Sequence, residues 1–275
     1  MHRKQWWAAA TAAVLAIAAG TVVYRSRLTN SPDGTTGCRL LSPPSSQSAE
    51  PTSGIRIIEA GHTVVGSNDP KVSMGVVLRN ETERVAYRTL VTFDALDAAG
   101  RTVIADDDQP LRTQVIPLIG PGATVAVGNA NLLRPGTEST IDSLAVTLRG
   151  ASWLSRGDGS TGLGRVTATM TKGSGRRTID GQGEVSFSAD SENCADLKSR
   201  GVSLVFRDSS DRVIGGSLDN SPPLDVCATG HHDGQRAAMT QTDIPAEADL
   251  DRTLVTIHCD FDLPRPVLSS GAPYN

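Results

Sequence analysis

The chain has 275 residues, of which 20% are charged and only 4% aromatic, with 27 glycines and 15 prolines. Its formal charge of −4 is unevenly spread: Arg3, Lys4, Arg25 and Arg27 precede every acidic residue, and setting them aside leaves 22 of the 26 basic residues against 30 acidic ones. An acidic body of this kind excludes a nucleic-acid binder, whose affinity comes from neutralising phosphates, while the length allows two domains of ordinary size.

Residues 6–24, from Trp6 to Tyr24, carry no charge. As a helix they would span about 28 Å at ~1.5 Å per residue, close to the thickness of a bilayer core. Trp6 and Trp7 at one end and Tyr24 at the other are the amphipathic rings expected at membrane interfaces. Residues 1–28 are therefore expected to be a retained anchor; the alternative, a signal peptide cleaved at Ala16-Ile17-Ala18, leaves an apolar run longer than such a peptide needs. A lipoprotein is disfavoured because Thr35 stands where an aliphatic residue should precede Cys38. The anchor would tie the chain to the cytoplasmic membrane with its body on the extracytoplasmic side; secretion follows if the segment is cleaved.

Residues 29–54 are rich in Ser, Pro and Thr, without hydrophobic period, and are expected to be a linker. From residue 55 onward the pattern alternates with period two, as in Val166-Thr-Ala-Thr-Met170, Val185-Ser-Phe187 and Leu144-Ala-Val-Thr-Leu148. One face of each segment is thus apolar, and turn formers recur every eight to twelve residues, the pattern of an all-β sandwich. The plan is written twice. Asp97-Ala-Ala-Gly-Arg101 is matched by Asp208-Ser-Ser-Asp-Arg212, each following a strand and preceding Val-Ile, and Pro121-Gly122 is matched by Asp233-Gly234 as a turn between extended segments. The expected division is a first sandwich over 55–156, a Gly-rich linker over 157–164, a second sandwich over 165–264 and a tail over 265–275.

Leu90-Val-Thr-Phe-Asp94, the Asp97-to-Arg101 hairpin and Pro121-Gly122, with Leu204-Val-Phe206 and Asp208 to Arg212 in the second copy, resemble the FxLYD-type immunoglobulin-like domains of bacterial cell-envelope proteins. The resemblance implies two tandem immunoglobulin-like β-sandwiches after an N-terminal transmembrane helix. It implies spacer or protein-contact roles and brings no catalytic residues with it.

All four cysteines, Cys38, Cys194, Cys227 and Cys259, follow the apolar segment and form no C-x-x-C pair, which suits an oxidising exterior. If the last strand runs antiparallel to the strand after Cys194, Cys194 and Cys259 fall at one end of the second sandwich and are the expected disulfide; Cys227 is the alternative partner for Cys194.

Local signatures of chemistry are sparse. His231-His232-Asp233 is the one histidine cluster and is expected in a solvated Asp-Gly turn, where adjacent side chains diverge rather than converge on a metal. His258 alternates away from Val255 and Ile257 and is expected to point outward. Asp106-Asp107-Asp108 lacks the spacing of a calcium loop. Gly157-x-Gly159-x-x-Gly162 matches a dinucleotide-binding pattern but precedes a β-type segment instead of a helix. Trp153 is expected to close the first core. No metal, cofactor or catalytic residue is assigned. The sequence points to a non-enzymatic protein anchored through its helix, acting through a protein partner or as an envelope spacer. A small-ligand or metal-ion sensor, or an enzyme with an unrecognised site, stand as alternatives.

Overall fold

The computed structural model describes residues 38, 40, 51–138, 140–154, 162–178, 182–221 and 225–261. Trp6, Trp7, Tyr24, Gly157, Gly159 and the tail over 265–275 lie outside them. Two compact units are distinguished, Met1–Cys38 and Arg39–Asn275, and only Cys38 of the first is described. Among the described residues no helix is long and apolar enough to cross a membrane.

The second unit is an all-β sandwich assembly of antiparallel sheets. Its strands are β1 (Ile55–Val65), β2 (Lys71–Asn80), β3 (Val85–Asp97), β4 (Thr113–Ile119), β5 (Thr124–Leu132), β6 (Ile141–Arg149), β7 (Ser152–Leu154), β8 (Val166–Met170), β9 (Arg176–Arg177), β10 (Gln182–Ser191), β11 (Lys198–Arg207), β12 (Val213–Asp219), β13 (Gly230–Thr240) and β14 (Asp249–Asp260). The described helical segments are two 3-10 turns, Asp106–Arg112 and Gln241–Asp243. β1-β2-β5 and β4-β3-β6, with β7 extending beside β3, use only residues before 155. β13-β10-β8, with β9 beside β10, and β12-β11-β14 use only residues after 165. The two pairs of sheets have the same order when β1, β2, β3, β4, β5 and β6 are matched to β8, β10, β11, β12, β13 and β14.

Each half folds around its own core. In the first, Val72, Met74, Val76 and Leu78 of β2 meet Val91, Phe93 and Ala95 of β3. In the second, Val185, Phe187 and Ala189 of β10 meet Val202, Leu204 and Phe206 of β11. Both sets occur at alternate positions, as half-buried strands require.

The middle strands break that alternation. β2 is buried on both faces, because sheet β1-β2-β5 lies back to back against β12-β11-β14. Val77, Ala126, Val205 and Val213 form a third apolar cluster in this seam. Glycine lets the backbones approach: a Cβ on Gly75 would lie 2.3 Å from the Gly215 carbonyl oxygen, and one on Gly128 would lie 2.1 Å from that of Leu204. Polar ties cross the seam as well. Ser73 Oγ donates to Gly216 O and accepts from Gly216 N, Thr63 Oγ1 donates to Ile214 O, and Thr256 Oγ1 accepts from Ala126 N. Arg207 and Val213 N both donate to the Glu59 carboxylate, and Lys71 lies 2.7 Å from Asp243.

The repeated hairpins match atom for atom. Asp97 Oδ1 accepts from the N–H groups of Ala99 and Arg101 while Oδ2 accepts from the Arg101 guanidinium; Asp208 does the same with Ser210 and Arg212. Gly100 and Asp211 occupy the left-handed position, at φ 74° and 68°. Asp tolerates that conformation better than most side chains, so the second copy dispenses with glycine.

Three expectations are corrected. Cys259 is bonded to Cys227, not to Cys194, with a Cα–Cα distance of 5.7 Å. The turn carrying Cys227 folds over the end of the second core, where its carbonyl accepts from Leu197 N; Cys194 is held towards the incoming segment by its N–H to Gly162 O. Cys38 and Cys194 are oxidised too, so no cysteine is free. Secondly, Asp233-Gly234 is not a turn between strands: both residues lie within β13, where the register against β10 shifts, and Gly234 has φ 68°. Thirdly, His258 points into the seam, because the face of β14 opposite Ile257 is covered by the first half and not by water.

Candidate functional site

Three groupings of polar side chains carry the chemistry of the described surface and interior. The first is the His231 cluster, on a strand and not in a loop. Antiparallel pairing of β13 with β10 sets His231 opposite Asp190, and the bulge after His232 turns Asp233 back to the same ring. His231 Nδ1 lies 2.6 Å from Asp190 Oδ1 and Nε2 lies 3.0 Å from Asp233 Oδ1. The hydrogen bond with Asp190, then that with Asp233, holds its pKa above the usual histidine value. With both nitrogens donating to carboxylates, the ring has no lone pair left for a metal. His232 is only partly exposed, with Nε2 3.2 Å from Thr229 O and Nδ1 4.0 Å from Asp225.

The second lies in the seam. Ser203 Oγ is 2.6 Å from His258 Nε2, the spacing of a nucleophile and its base. Both residues are buried, at 0% and 4% exposure, so no substrate reaches the hydroxyl. Burial alone pushes the His258 pKa down to about 4, and the imidazole is neutral at physiological pH.

The third lies where the first half meets the end of β14. Asp260 sits between Arg88 of β3, at 3.8 Å, and Arg200 of β11, at 3.4 Å. Tyr87 packs edge-on to Phe261 with ring centroids 5.6 Å apart, and the Arg88 guanidinium lies over the Tyr87 ring. Arg88 has φ 55°, and this left-handed step turns Val85 and Tyr87 towards the second core while Val91 and Phe93 stay in the first. Burial raises the Asp260 pKa, and the two guanidiniums work against that.

The remaining sequence candidates serve the fold. Asp106 Oδ1 accepts from Gln109 and pairs with Arg134, and Asp108 Oδ2 accepts from Leu132 N, so the acidic run ties the 3-10 turn to its neighbours and covers a strand edge. Trp153 is half-buried on β7 against the first core, donates from Nε1 to Pro51 O, and lies under the Arg84 guanidinium. Among the described residues no group of three His, Cys, Asp or Glu side chains is arranged to hold a metal ion.

Two surface depressions accompany these groups. One, of about 460 Å³, is lined by Asp97, Arg101, Ile141 and Asp142 at the start of β6. The other, of about 310 Å³, lies between the end of β1 and Arg177, Ile244 and Glu247. Sequence reasoning missed the seam and its residues Glu59, Arg207, Ser203 and Arg88. The one local signal was the cluster of small residues, Gly75, Gly128 and Gly215-Gly216, inside otherwise strand-like runs, which marks close backbone approach.

No protein-family model matches the chain, and no curated protein matches it either.

Proposed function

We propose that the chain is a membrane-tethered extracytoplasmic protein of a bacterial cell envelope, built from two immunoglobulin-like modules and acting without catalysis through protein contacts or as a spacer. The observation that carries this reading is the seam: two sandwiches of equal strand order share a glycine-faced, hydrogen-bonded interface and so present a single compact unit with its outer edges turned to solvent. Disulfide-bonded cysteines fit an oxidising compartment. The charge-free segment over 6–24 supplies the tether. The titratable clusters engage one another instead of converging on open space, which favours contact over catalysis or ion sensing.

The test uses intact cells. A membrane-impermeant amine reagent is expected to label exposed Lys172 and Lys198 without lysis, and a bifunctional version of it is expected to join the chain to a polypeptide. Labelling seen only after lysis overturns the extracytoplasmic reading. Labelling without any polypeptide cross-link overturns the contact role.

A further inference from the structure

Sheet edges carry unpaired peptide groups, and proteins usually blunt them. Here most edges are blunted by identifiable atoms. The outward N–H groups of β5 are taken by Thr256 Oγ1 at Ala126, Asn129 Oδ1 at Ala130 and Asp108 Oδ2 at Leu132. β4 carries Pro117 in mid-strand, β12 is tied to Glu59 and Ser73, and β1 is irregular at Ile57/Glu59. β13 is bulged and its Ala238 N–H is taken by Asp219. β8 is only 5 residues long, and β14 carries Asp249, Asp251, Arg252 and Asp260.

β6 carries such devices only at its ends, with an extra residue at Asp142, the charges of Asp142 and Arg149, and Thr52 Oγ1 on the Leu148 carbonyl. It is 9 residues long and, among the described residues, pairs with β3 alone. Its interior, Ser143-Leu-Ala-Val-Thr-Leu148, has no charge, proline or glycine. Thr52 Oγ1 donates to Leu148 O at 3.4 Å, from the side away from β3. Because the N–H and C=O of one residue point the same way in an antiparallel strand, this marks Leu144, Val146 and Leu148 as the residues whose peptide groups face off the sheet. Among the described residues no backbone hydrogen bond is made from that edge.

The side chains indicate what pairs there. Leu144, Val146 and Leu148 pack inward on the first core, as does Ile141, because the register shift at Leu96/Asp97 leaves Asp142 as the extra residue. Asp142, Ser143, Ala145, Thr147 and Arg149 thus share the outer face. Asp142 and Arg149, at opposite ends, are exposed and make no ion pair among the described residues. Antiparallel pairing of β6 with itself brings each Arg149 to the end of the other copy's strand that carries Asp142, beside the depression that Asp97 and Asp142 line.

We propose that β6 is a strand-addition edge and that its occupant is β6 of a second copy of this chain, paired antiparallel about a two-fold axis at Ala145. The axis falls there because Ala145 is the midpoint of the strand, so its interior from Ser143 to Thr147 pairs, and the register sets Leu144 opposite Val146 of the second copy with their peptide groups facing. Ser143 then meets Thr147 of the second copy, and Ala145 meets itself in a non-hydrogen-bonded pair. The interface is isologous and closes, giving a dimer and not a filament. This rests on the contact reading above and names the partner at one site.

The test is the mass of the full chain in detergent micelles, measured by sedimentation. The wild type is expected to be a dimer, and Ala145→Lys, which sets like charges face to face, is expected to halve the mass. Mixing Ala145→Lys with Ala145→Glu is expected to restore the dimer. Non-hydrogen-bonded pairs have Cα atoms about 4.5 Å apart, within disulfide range, so Ala145→Cys is expected to give a covalent dimer on oxidation. That cross-link also decides the matter if the lysine variant fails to fold. A monomeric wild type, a dimer indifferent to Ala145→Lys, or no cross-link from Ala145→Cys overturns the proposal. Polypeptide cross-linking on intact cells alongside a monomeric wild type leaves the contact role standing with a different partner.

Discussion

At the scale of single residues, the seam converts small differences in side-chain volume into large differences in stability. Gly128→Ala sets a Cβ 2.1 Å from Leu204 O and 2.5 Å from Ser217 N, both backbone atoms held in sheets, so relief requires the two halves to part. A loss of about 3 kcal/mol is expected from chemical denaturation, at the upper end of ordinary overpacking. Gly120→Ala, whose Cβ would meet only Ala123 at 3.8 Å, is expected to be close to neutral. His258 adds a pH dependence to the same seam. Its folded pKa of about 4 lies below the ordinary 6.5, so above pH 6.5 the group is neutral in both states and contributes nothing. Below that the unfolded chain takes up the proton first, and stability falls from pH 6.5 down to about 4, by about 3 kcal/mol in all. Asp260 has the opposite sign, since a raised carboxylate pKa gives stability at low pH that is lost as pH rises through the folded value. Denaturant midpoints between pH 7 and 4 are expected to fall, and the slope is expected to flatten in His258→Gln; an unchanged slope in that variant would assign the pH dependence elsewhere.

At the scale of elements, the disulfide and the hairpins close what the sheets leave open. Cys227–Cys259 ties the turn before β13 to the end of β14 across a sequence separation of 32. Loop-closure entropy for a loop of that length gives roughly 3–4 kcal/mol, so replacing both cysteines by alanine is expected to lower the unfolding free energy by that amount. Asp97 and Asp208 hold their hairpins through the same bonds to the next arginine, and the Arg101 and Arg212 N–H groups hold both carboxyls below the usual range. These contributions are present above the ordinary carboxylate pKa and are lost as pH falls through the lowered values. The hairpins were legible in the sequence because Asp-x-x-x-Arg closes its own turn from local atoms. The disulfide was not, because strand-end proximity cannot tell which loop folds over the core.

At the scale of the whole molecule, the two halves are expected to behave as one. In a chain carrying Cys38→Ser and Cys194→Ser, a protease site introduced within residues 155–161 and cleaved is expected to leave both fragments co-eluting in gel filtration, since Ser73–Gly216, Glu59–Arg207 and the Val77–Val205 cluster still join them. Separate elution would show that the covalent connection, and not the seam, keeps them together. The stretch between β7 and β8 resembles a linker between independent domains in its composition. Composition reports what the connecting chain is able to do; it does not report what the halves on either side bury against each other.

The sequence by itself determined the all-β character, the strand segments 144–148, 166–170 and 202–207, and the repeated hairpins, because alternation and turn chemistry act within a few residues. Only the tertiary structure decided the direction of His258, the partner of Cys259, the strand position of His231 and the place of β6 at a sheet edge. Each depends on which face or end of a strand another part of the chain covers, and a period-two pattern distinguishes two faces without saying what lies against either.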